Sequence, residues 1–385
     1  MIFTDDQLAL QDAARRFARE RLLPRYLQRE IDAAFEPGLV QEMGAMGLIG
    51  IDLPEQYGGM GASAVTAGII AEELAYGDFN VSALAVVQSL CGTIVARNGA
   101  EEVKADWLPR VCRGEATFAL SITEPHAGSD ATALRLRARK DGDDYVLDGE
   151  KASTSFAGQA SAYIVFARLG DGTGSSGVTA FLVQATADGL STTRYRDVGS
   201  HASGRGSVFF DGVRIPASHR LGAEGRGFTE VMAGFDFSRA LIALQCIGAA
   251  QASIDEAWAY AAEREAFGGP IAQFQGVTFP LVEGETQIAA ARQLAYHALA
   301  LRDAGQPHTV EAAMIKWFGP RTSFDVIHQC LLTFGHYGWS MDLPHQQRMR
   351  DVMGLEIGDG TAQIMKLIVA RARVGRIADP KRTAA

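Results

Sequence analysis

The spacing of apolar residues changes twice along the chain and divides the sequence into three parts. Up to about residue 115 the apolar positions recur at helical spacing, and Thr4 stands where a helix N-cap is expected. Apolar and polar residues then alternate in short runs between glycine turns, which is typical of strands in a compact barrel or sandwich. From about residue 226 helical spacing returns over four long stretches, which predicts a helical bundle.

The predicted fold is therefore mostly α with a central β domain. The predicted domains are a helical domain at 1–115, a β-barrel domain at 116–225 and a four-helix bundle at 226–385. The bundle helices are predicted at 228–264, 274–304, 310–332 and 360–374. The strands are predicted at 134–139, 145–147, 163–167, 179–183 and 207–210, with Asp148-Gly149 and Asp211-Gly212 as turns between them.

Composition narrows the function classes. The chain has 385 residues and a net charge of −9, and this acidic balance argues against a nucleic-acid partner. Its four cysteines show no Cys-x-x-Cys spacing, so buried free thiols in a reducing cytoplasm are expected. The first six residues lack the pattern of a signal peptide, and we expect no apolar run to reach the ~18 residues of a membrane span. We predict no metal site and no membrane partner.

A carboxylate between two glycines marks the candidate chemistry near the C-terminus. Asp359 lies between Gly358 and Gly360, and Thr361 is a plausible N-cap for the helix that follows. A carboxylate just before a helix N-terminus suits a general base or an anion site. A capped helix after a surface turn is the alternative interpretation of these residues.

This stretch resembles the base-bearing segment of the acyl-CoA dehydrogenase family. Family members carry Glu-Gly-Thr-(Ser/Ala)-Gln-Ile followed by an apolar run and an arginine. The matching positions here are Gly360, Thr361, Gln363, Ile364, Ile368 and Arg371. Asp359 stands where the family has its glutamate, so the resemblance implies that Asp359 is the catalytic base, with Gly360 near the substrate and Thr361 and Gln363 near the cofactor.

A second segment carries the most specific match. Residues 120–130 read Leu-Ser-Ile-Thr-Glu-Pro-His-Ala-Gly-Ser-Asp and resemble the family's Thr-Glu-Pro-x-Ala-Gly-Ser-Asp string. The resemblance implies FAD contacts for Leu120, Ile122, Thr123, Gly128 and Ser129, with Ser129 also near the substrate pantetheine.

The segment at 151–155 departs from the family pattern. The family usually has Lys-x-Trp-Ile-(Thr/Ser), whereas Ser153 replaces the tryptophan and Ser155 keeps the hydroxyl that contacts the flavin. The loss of a large aromatic side chain is expected to open the flavin edge or to leave room for a bulkier acyl group.

Three further segments resemble ligand-binding stretches of the family. Phe235, Asp236 and Arg239 match residues implied to contact the CoA arm, and arginine suits phosphate through its permanent charge. The positions implied to reach FAD held by a neighbouring subunit are Arg264, Phe267, Gln275, Leu332, Gly335 and His336. His336 replaces a glycine and Leu332 a common glutamine, and a structural role for His336 is an equal alternative.

The resemblance covers essentially the whole chain and implies FAD-dependent α,β-dehydrogenation of an acyl-CoA thioester. Asp359 would take the α-proton, and hydride would pass from the β-carbon to flavin N5. Because aspartate is one methylene shorter than glutamate, an α-branched or alicyclic acyl group is the hypothesis for the substrate. Relatives that resemble the chain in this way include the cyclohexanecarboxyl-CoA dehydrogenases of alicyclic acid degradation.

Three alternatives stay open at this point. They are a flavin oxidase of the same fold resembling nitroalkane oxidase, a dehydrogenase acting on acyl-carrier-protein thioesters, and a non-catalytic nucleic-acid-binding family member. The family further implies electron-transfer flavoprotein as the electron acceptor and a homotetramer or homodimer.

Overall fold

The computed structural model describes residues 1–172 and 174–378, and the chain divides into two compact units. The helical unit contains Met1–Glu30, Ala64–Ala83 and the described chain from Arg239 onward. The sheet unit contains Ile31–Ser63 and Leu84–Ser238. The fold is mostly helical with a sheet domain in the middle of the chain, as expected, while the exact domain limits at residues 115 and 225 remain a prediction.

The four bundle helices lie close to their predicted bounds, the chain before residue 115 is largely helical as predicted, and α10 is an additional helix. Their bounds are α1 Asp5–Phe17, α2 Tyr26–Asp32, α3 Leu39–Ala45, α4 Ala64–Gly77, α5 Phe79–Asn98, α6 Glu101–Cys112, α7 Gly227–Glu263, α8 Gln275–Asp303, α9 Thr309–Thr333, α10 His345–Gly354 and α11 Ala362–Val374. Thr4 caps α1 as predicted, since its hydroxyl accepts a hydrogen bond from the Gln7 amide at 3.3 Å and the Gln7 side chain accepts one from the Thr4 amide.

Helix α10 was not predicted from the sequence. The helix buries the polar side chains of His345, Gln347, Arg348 and Asp351 together with Val352. Its buried face therefore carries no apolar stripe, and a search for apolar periodicity does not detect it. Buried polar contacts hold it instead, such as the hydrogen bond of 2.7 Å from Tyr26 to Asp351.

The main sheet has eight strands. Their bounds are β1 Phe118–Ser121, β2 Arg137–Asp141, β3 Asp144–Ser155, β4 Ala162–Leu169, β5 Val178–Gln184, β6 Leu190–Thr192, β7 Arg205–Ile215 and β8 Arg220–Leu221. The strand order is β6-β7-β3-β2-β4-β5-β8, and β1 pairs in parallel with β4. Two short strands of the helical unit, β9 Glu265–Ala266 and β10 Gly269–Pro270, form a separate hairpin.

Two predicted turns are wrong. Asp148-Gly149 lies inside β3 and Asp211-Gly212 inside β7, and the two strands pair across them. The register shifts between Leu147 and Gly149, and the Gly212 amide donates to the Asp148 carboxylate at 2.9 Å. The two Asp-Gly pairs therefore form a bulge, which bends paired strands without ending them.

Each unit has its own apolar core. In the sheet unit, helices α5 and α6 pack on the strands, and the rings of Trp107 and Phe118 lie 5.7 Å apart. In the helical unit, α7 buries a run of alanines that permits close helix packing. The four cysteines are free and buried as predicted, and burial raises the pKa of each thiol.

The expectation that no segment is long and apolar enough to span a membrane is wrong for two helices. Helices α5 and α7 pass that test by length and composition, because polar residues such as Ser82 and Gln88 of α5 interrupt the apolar runs without ending them. Within the fold, 72% and 87% of their most apolar windows are buried. Both therefore pack as core helices here.

Candidate active site

A buried ion pair shapes the segment that follows β1. The ammonium of Lys151 donates to the carbonyl oxygen of Ile122 at 2.9 Å and to the carboxylate of Glu124 at 2.8 Å. The Glu124 carboxylate also accepts hydrogen bonds from the amides of Arg135 and Leu136, at 2.6 and 2.9 Å. One side chain thus joins β3, the 122–124 segment and the approach to β2.

Burial and mutual attraction act in opposite directions on the pKa values of Glu124 and Lys151. Burial acts to raise the pKa of Glu124, but the Lys151 charge and the two backbone donors outweigh it, and the pKa falls below its usual value. Burial dominates for Lys151 and lowers the pKa of its ammonium to about 8, although Glu124 opposes the shift. Each charge of the pair therefore depends on the other, and the pair holds the surrounding backbone in place.

The structure brings the second predicted flavin segment alongside the first. The Ala152 amide donates to the Thr123 carbonyl at 2.8 Å, and the hydroxyls of Ser121 and Thr154 lie 2.9 Å apart. The register of β3 is irregular between Lys151 and Thr154, and Ser153 adopts a left-handed φ of 56°.

Exposure separates the predicted flavin residues of the sheet unit into two groups. The half-buried ones are Leu120, Ile122, Thr123 and Ser155. The exposed ones are Gly128, Ser129 and Ser153. The neighbouring 121–123 and 152–154 segments therefore offer partly accessible backbone groups and hydroxyls, which suit a polar heterocycle.

The turn that carries Asp359 joins α10 to α11. Asp359 has φ 57° and Gly360 has φ 94°, so two successive residues are left-handed. Thr361 is the N-cap of α11 as predicted, since its hydroxyl accepts from the Ile364 amide at 3.3 Å. Met365 is the fully buried side chain of α11, whereas Gln363 is exposed.

Lys316 and Arg239 are buried cations of the helical unit. Lys316 contacts this turn, and the charge of Arg239 acts on Lys316. Lys316 of α9 is fully buried, and its ammonium donates to backbone carbonyls of the turn. Burial lowers the pKa of Lys316, Asp359 and Glu356 raise it, and Arg239 lowers it further. Arg239 of α7 is 4% exposed, so it offers little surface to a phosphate in this structure.

The other predicted CoA residues lie at the start of α7. Phe235 and Asp236 are half-buried in the sheet unit, and Phe235 packs against its apolar core. The Ser238 hydroxyl donates to the Phe235 carbonyl at 3.1 Å.

The predicted dinucleotide segments meet at the C-terminal end of α7. The ring of Tyr260 stacks on Phe334 at 4.3 Å between centroids, and the Arg264 amide donates to the Tyr260 carbonyl. All six predicted residues here are exposed: Arg264, Phe267, Gln275, Leu332, Gly335 and His336. An exposed guanidinium beside glycine turns suits a pyrophosphate.

The donor set of the chain thus fits FAD. The hydroxyls and backbone groups of the sheet unit suit the ring system, and Arg264 of the helical unit suits the phosphates. Across residues 1–172 and 174–378, no group of three or more His, Cys, Asp or Glu side chains is placed to hold a metal ion.

Comparison with family models shows which family the chain belongs to. Family models described as the N-terminal, middle and C-terminal domains of acyl-CoA dehydrogenase match residues 4–115, 119–213 and 225–373. The chain belongs to the acyl-CoA dehydrogenase family. An acyl-CoA dehydrogenase of Bacillus subtilis is 34% identical over 97% of this chain and 100% of its own length. A short-chain-specific acyl-CoA dehydrogenase of Clostridium acetobutylicum is 33% identical over 95% of this chain and 97% of its own length.

Solved structures of acyl-CoA dehydrogenases share the fold. Butyryl-CoA dehydrogenase of Megasphaera elsdenii has a TM-score of 0.94 and 31% identity over 97% of this chain and 99% of that chain. A glutaryl-CoA dehydrogenase of Mycobacterium smegmatis, in complex with FADH2, has a TM-score of 0.93 and 27% identity over 98% and 97% of the two chains. A chain of a structure described as the electron-transferring flavoprotein of Acidaminococcus fermentans has a TM-score of 0.94 and 33% identity over 97% and 99%. The chain is thus an acyl-CoA dehydrogenase, an FAD-dependent oxidoreductase.

The sequence does not reveal the groups that hold the site segments in place. Glu124 and Lys151 lie in the family-like segments, where the sequence gives them no role, and Lys316 lies outside those segments. A signal for Lys316 exists in the sequence, since it is a lysine within the apolar stripe of Ala312, Ala313 and Ile315. A charged residue on a buried helix face needs a partner, although the sequence does not say which.

Proposed function

We propose that the protein catalyses α,β-dehydrogenation of an acyl-CoA thioester, with Asp359 as the base that removes the α-proton. The observation that carries the proposal is the position of Asp359 in the turn that leads into α11, two residues before the N-cap Thr361. The N-terminus of a helix carries partial positive charge. That charge favours the ionised carboxylate and stabilises negative charge developing on the thioester oxygen.

FAD, when bound, supplies at N5 the acceptor for the hydride that leaves the substrate β-carbon. Ile122, Thr123 and Ser155 would hold its ring system, and Arg264 and Gln275 would reach the pyrophosphate and adenine of the FAD held by a neighbouring subunit. The role of Asp359 is to hold the proton taken from the α-carbon. Phe235 and Asp236 would contact the pantetheine arm of the substrate.

The finer proposal concerns the acyl group. Aspartate reaches about 1.3 Å less than glutamate by ordinary bond geometry. A misplacement of about 1 Å can cost ~100-fold in rate, so the substrate α-carbon must lie in a different place from that in a glutamate enzyme. We propose an α-branched or alicyclic acyl group such as cyclohexanecarboxyl. Short straight chains are the second candidate, favoured by the names of the relatives described above.

The electron acceptor, the assembly and the location complete the proposal. Electron-transfer flavoprotein is the proposed acceptor, because a chain with the same fold and 33% identity occurs in a structure described as an electron-transferring flavoprotein. A homotetramer or homodimer is supported by exposed aromatic residues near the end of α7, such as Phe267 at 95% and Trp339 at 83% exposure. A cytoplasmic location is proposed from the four free thiols.

The test is an anaerobic titration of the purified flavoprotein with cyclohexanecarboxyl-CoA, isobutyryl-CoA, butyryl-CoA and octanoyl-CoA. Bleaching of the flavin band by the branched and ring thioesters first is the expected result. Much faster turnover of butyryl-CoA or octanoyl-CoA would overturn the substrate proposal and leave the dehydrogenation intact.

Three further measurements test the alternative functions. Peroxide formation in air, with no bleaching by any thioester, would indicate an oxidase. Bleaching only by acyl-carrier-protein thioesters would change the proposed substrate from a CoA thioester to an acyl-carrier-protein thioester. A DNA gel shift without bleaching would indicate a nucleic-acid-binding protein.

A further inference from the structure

A buried lysine bridges the two ends of the turn that carries Asp359. Lys316 lies about two turns into α9, and its side chain has no exposed surface. Its ammonium donates to the carbonyl oxygen of Leu355 at 2.7 Å and to that of Gly360 at 3.0 Å. The first carbonyl lies at the start of the turn and the second directly follows Asp359.

Both carbonyl oxygens need a hydrogen-bond donor from elsewhere in the chain. Leu355 is the C-cap of α10, where carbonyl groups lack intrahelical partners and the helix dipole favours a cation. Gly360 precedes the N-cap of α11, and its carbonyl belongs to a left-handed residue outside the helix ladder. One ammonium therefore satisfies the backbone at both helix ends.

The rest of the turn has a backbone that needs external support. Asp359 and Gly360 both have positive φ, and the left-handed region costs a non-glycine residue roughly 1–2 kcal/mol. Two local hydrogen bonds close the turn, from the Gly358 amide to the Gly354 carbonyl at 3.0 Å and from the Ala362 amide to the Glu356 carbonyl at 3.2 Å. Lys316 adds a side-chain contact to the carbonyl that directly follows Asp359, beside the backbone bond across the turn.

We propose that Lys316 is a positioning residue, whose ammonium clamps the 355–361 turn and thereby places the Asp359 carboxylate for proton abstraction. The inference rests on the proposed function for its catalytic consequence, but the clamp itself is a structural property. The charge of Lys316 also lies within electrostatic reach of Asp359 and Glu356, with Arg239 and Cys246 of α7 acting on the same ammonium.

The test compares Lys316→Met, which keeps the length and apolar stem, with Lys316→Gln, which keeps an uncharged donor. The matched control is Ile327→Ala, a fully buried position roughly 16 Å further along α9. A buried isoleucine truncation destabilises the fold without touching the clamp. All three are purified as holoenzyme, and melting temperature and FAD content are measured first.

Amide hydrogen exchange of a peptide covering 355–361 is the readout for the clamp. We expect exchange at least ~10-fold faster in Lys316→Met, an intermediate rate in Lys316→Gln, and the wild-type rate in Ile327→Ala. Equal exchange in Lys316→Met and Ile327→Ala would overturn the inference. Should Lys316→Met fail to fold, the same comparison is decided by Lys316→Gln.

The kinetic readout separates the inference from the proposed function. With a thioester that the wild type oxidises, we expect kcat to fall ~100-fold in Lys316→Met, with KM changed less than ~3-fold. The deuterium isotope effect on an α-deuterated substrate should increase, because proton abstraction becomes rate-limiting. If faster exchange is observed but the wild type oxidises no thioester, the clamp stands and the proposed function fails.

Discussion

The ammonium of Lys151 lies 2.8 Å from the carboxylate of Glu124, and both side chains are buried in the sheet unit. Removing one partner of such a pair leaves the other charge buried and uncompensated. The pair also holds the carbonyl of Ile122, one residue before Thr123. We therefore expect stability to be linked to the proposed flavin contact of Thr123.

We predict that Glu124→Gln lowers the free energy of unfolding by about 3 kcal/mol and reduces the FAD bound per protein. Chemical denaturation and the ratio of flavin to protein absorbance measure the two effects. The control is Glu115→Gln, which breaks the exposed pair with Arg113 and should leave both quantities unchanged. Equal effects in the two variants would show that the buried pair does not support the flavin segment.

Replacing the proposed base should remove activity without affecting the fold. We predict that Asp359→Asn lowers kcat by roughly 10²- to 10⁴-fold, because a general base contributes about that factor. FAD content and melting temperature should stay at the wild-type values. Steady-state kinetics with the best thioester of the panel measures the effect, and more than a tenth of wild-type activity would exclude Asp359 as the base.

Asp359→Glu is the companion variant because it restores the family's glutamate. We expect it to favour straight-chain thioesters over ring thioesters relative to the wild type, since its carboxylate reaches further. An unchanged preference in kcat/KM would separate the substrate choice from the length of the base.

A methyl group at Gly360 should disturb the turn. Gly360 has φ 94°, and an added Cβ would lie 2.6 Å from the terminal methyl of buried Met365. We predict that Gly360→Ala destabilises the protein by about 1–2 kcal/mol and lowers kcat, because the left-handed backbone disfavours alanine. Gly354→Ala is the matched control, since nothing lies within 4 Å of its Cβ and it ends helix α10.

A buried histidine should make stability depend on pH. His345 has no exposed surface, and burial lowers its pKa to about 4 despite the nearby Glu256 carboxylate. Between pH 6.5 and 4 the unfolded chain binds more protons than the folded one, so stability is complete above pH 6.5 and is lost as the pH falls. The expected loss from this residue is about 3 kcal/mol.

His345→Leu should remove that part of the pH dependence, as measured by denaturant titrations at pH 7 and pH 4. Other groups titrate in both proteins and cancel in the difference. His297→Leu, at an exposed position of α8, is the control and should follow the wild type. If the free energy of unfolding changes equally between pH 7 and pH 4 in the wild type and in His345→Leu, the prediction is contradicted.

Local chemistry accounts for what the sequence predicted well. The caps at Thr4 and Thr361 depend on a hydroxyl next to a helical run, and the long helices depend on their own apolar periodicity. Where a polar face is buried, as in α10, or where an Asp-Gly pair forms a bulge, the same rules fail. In both cases the partner that decides the outcome lies elsewhere in the chain.

The sequence by itself determined the family, the helix–sheet–helix order and the position of Asp359, because each depends on residues close together in the chain. Only the tertiary structure decided what holds those residues in place. Lys151 and Glu124 are 27 residues apart, and Lys316 lies 39 and 44 residues from the two carbonyls that it binds. A buried charge must find its partner in space, and no spacing rule along the chain specifies that partner.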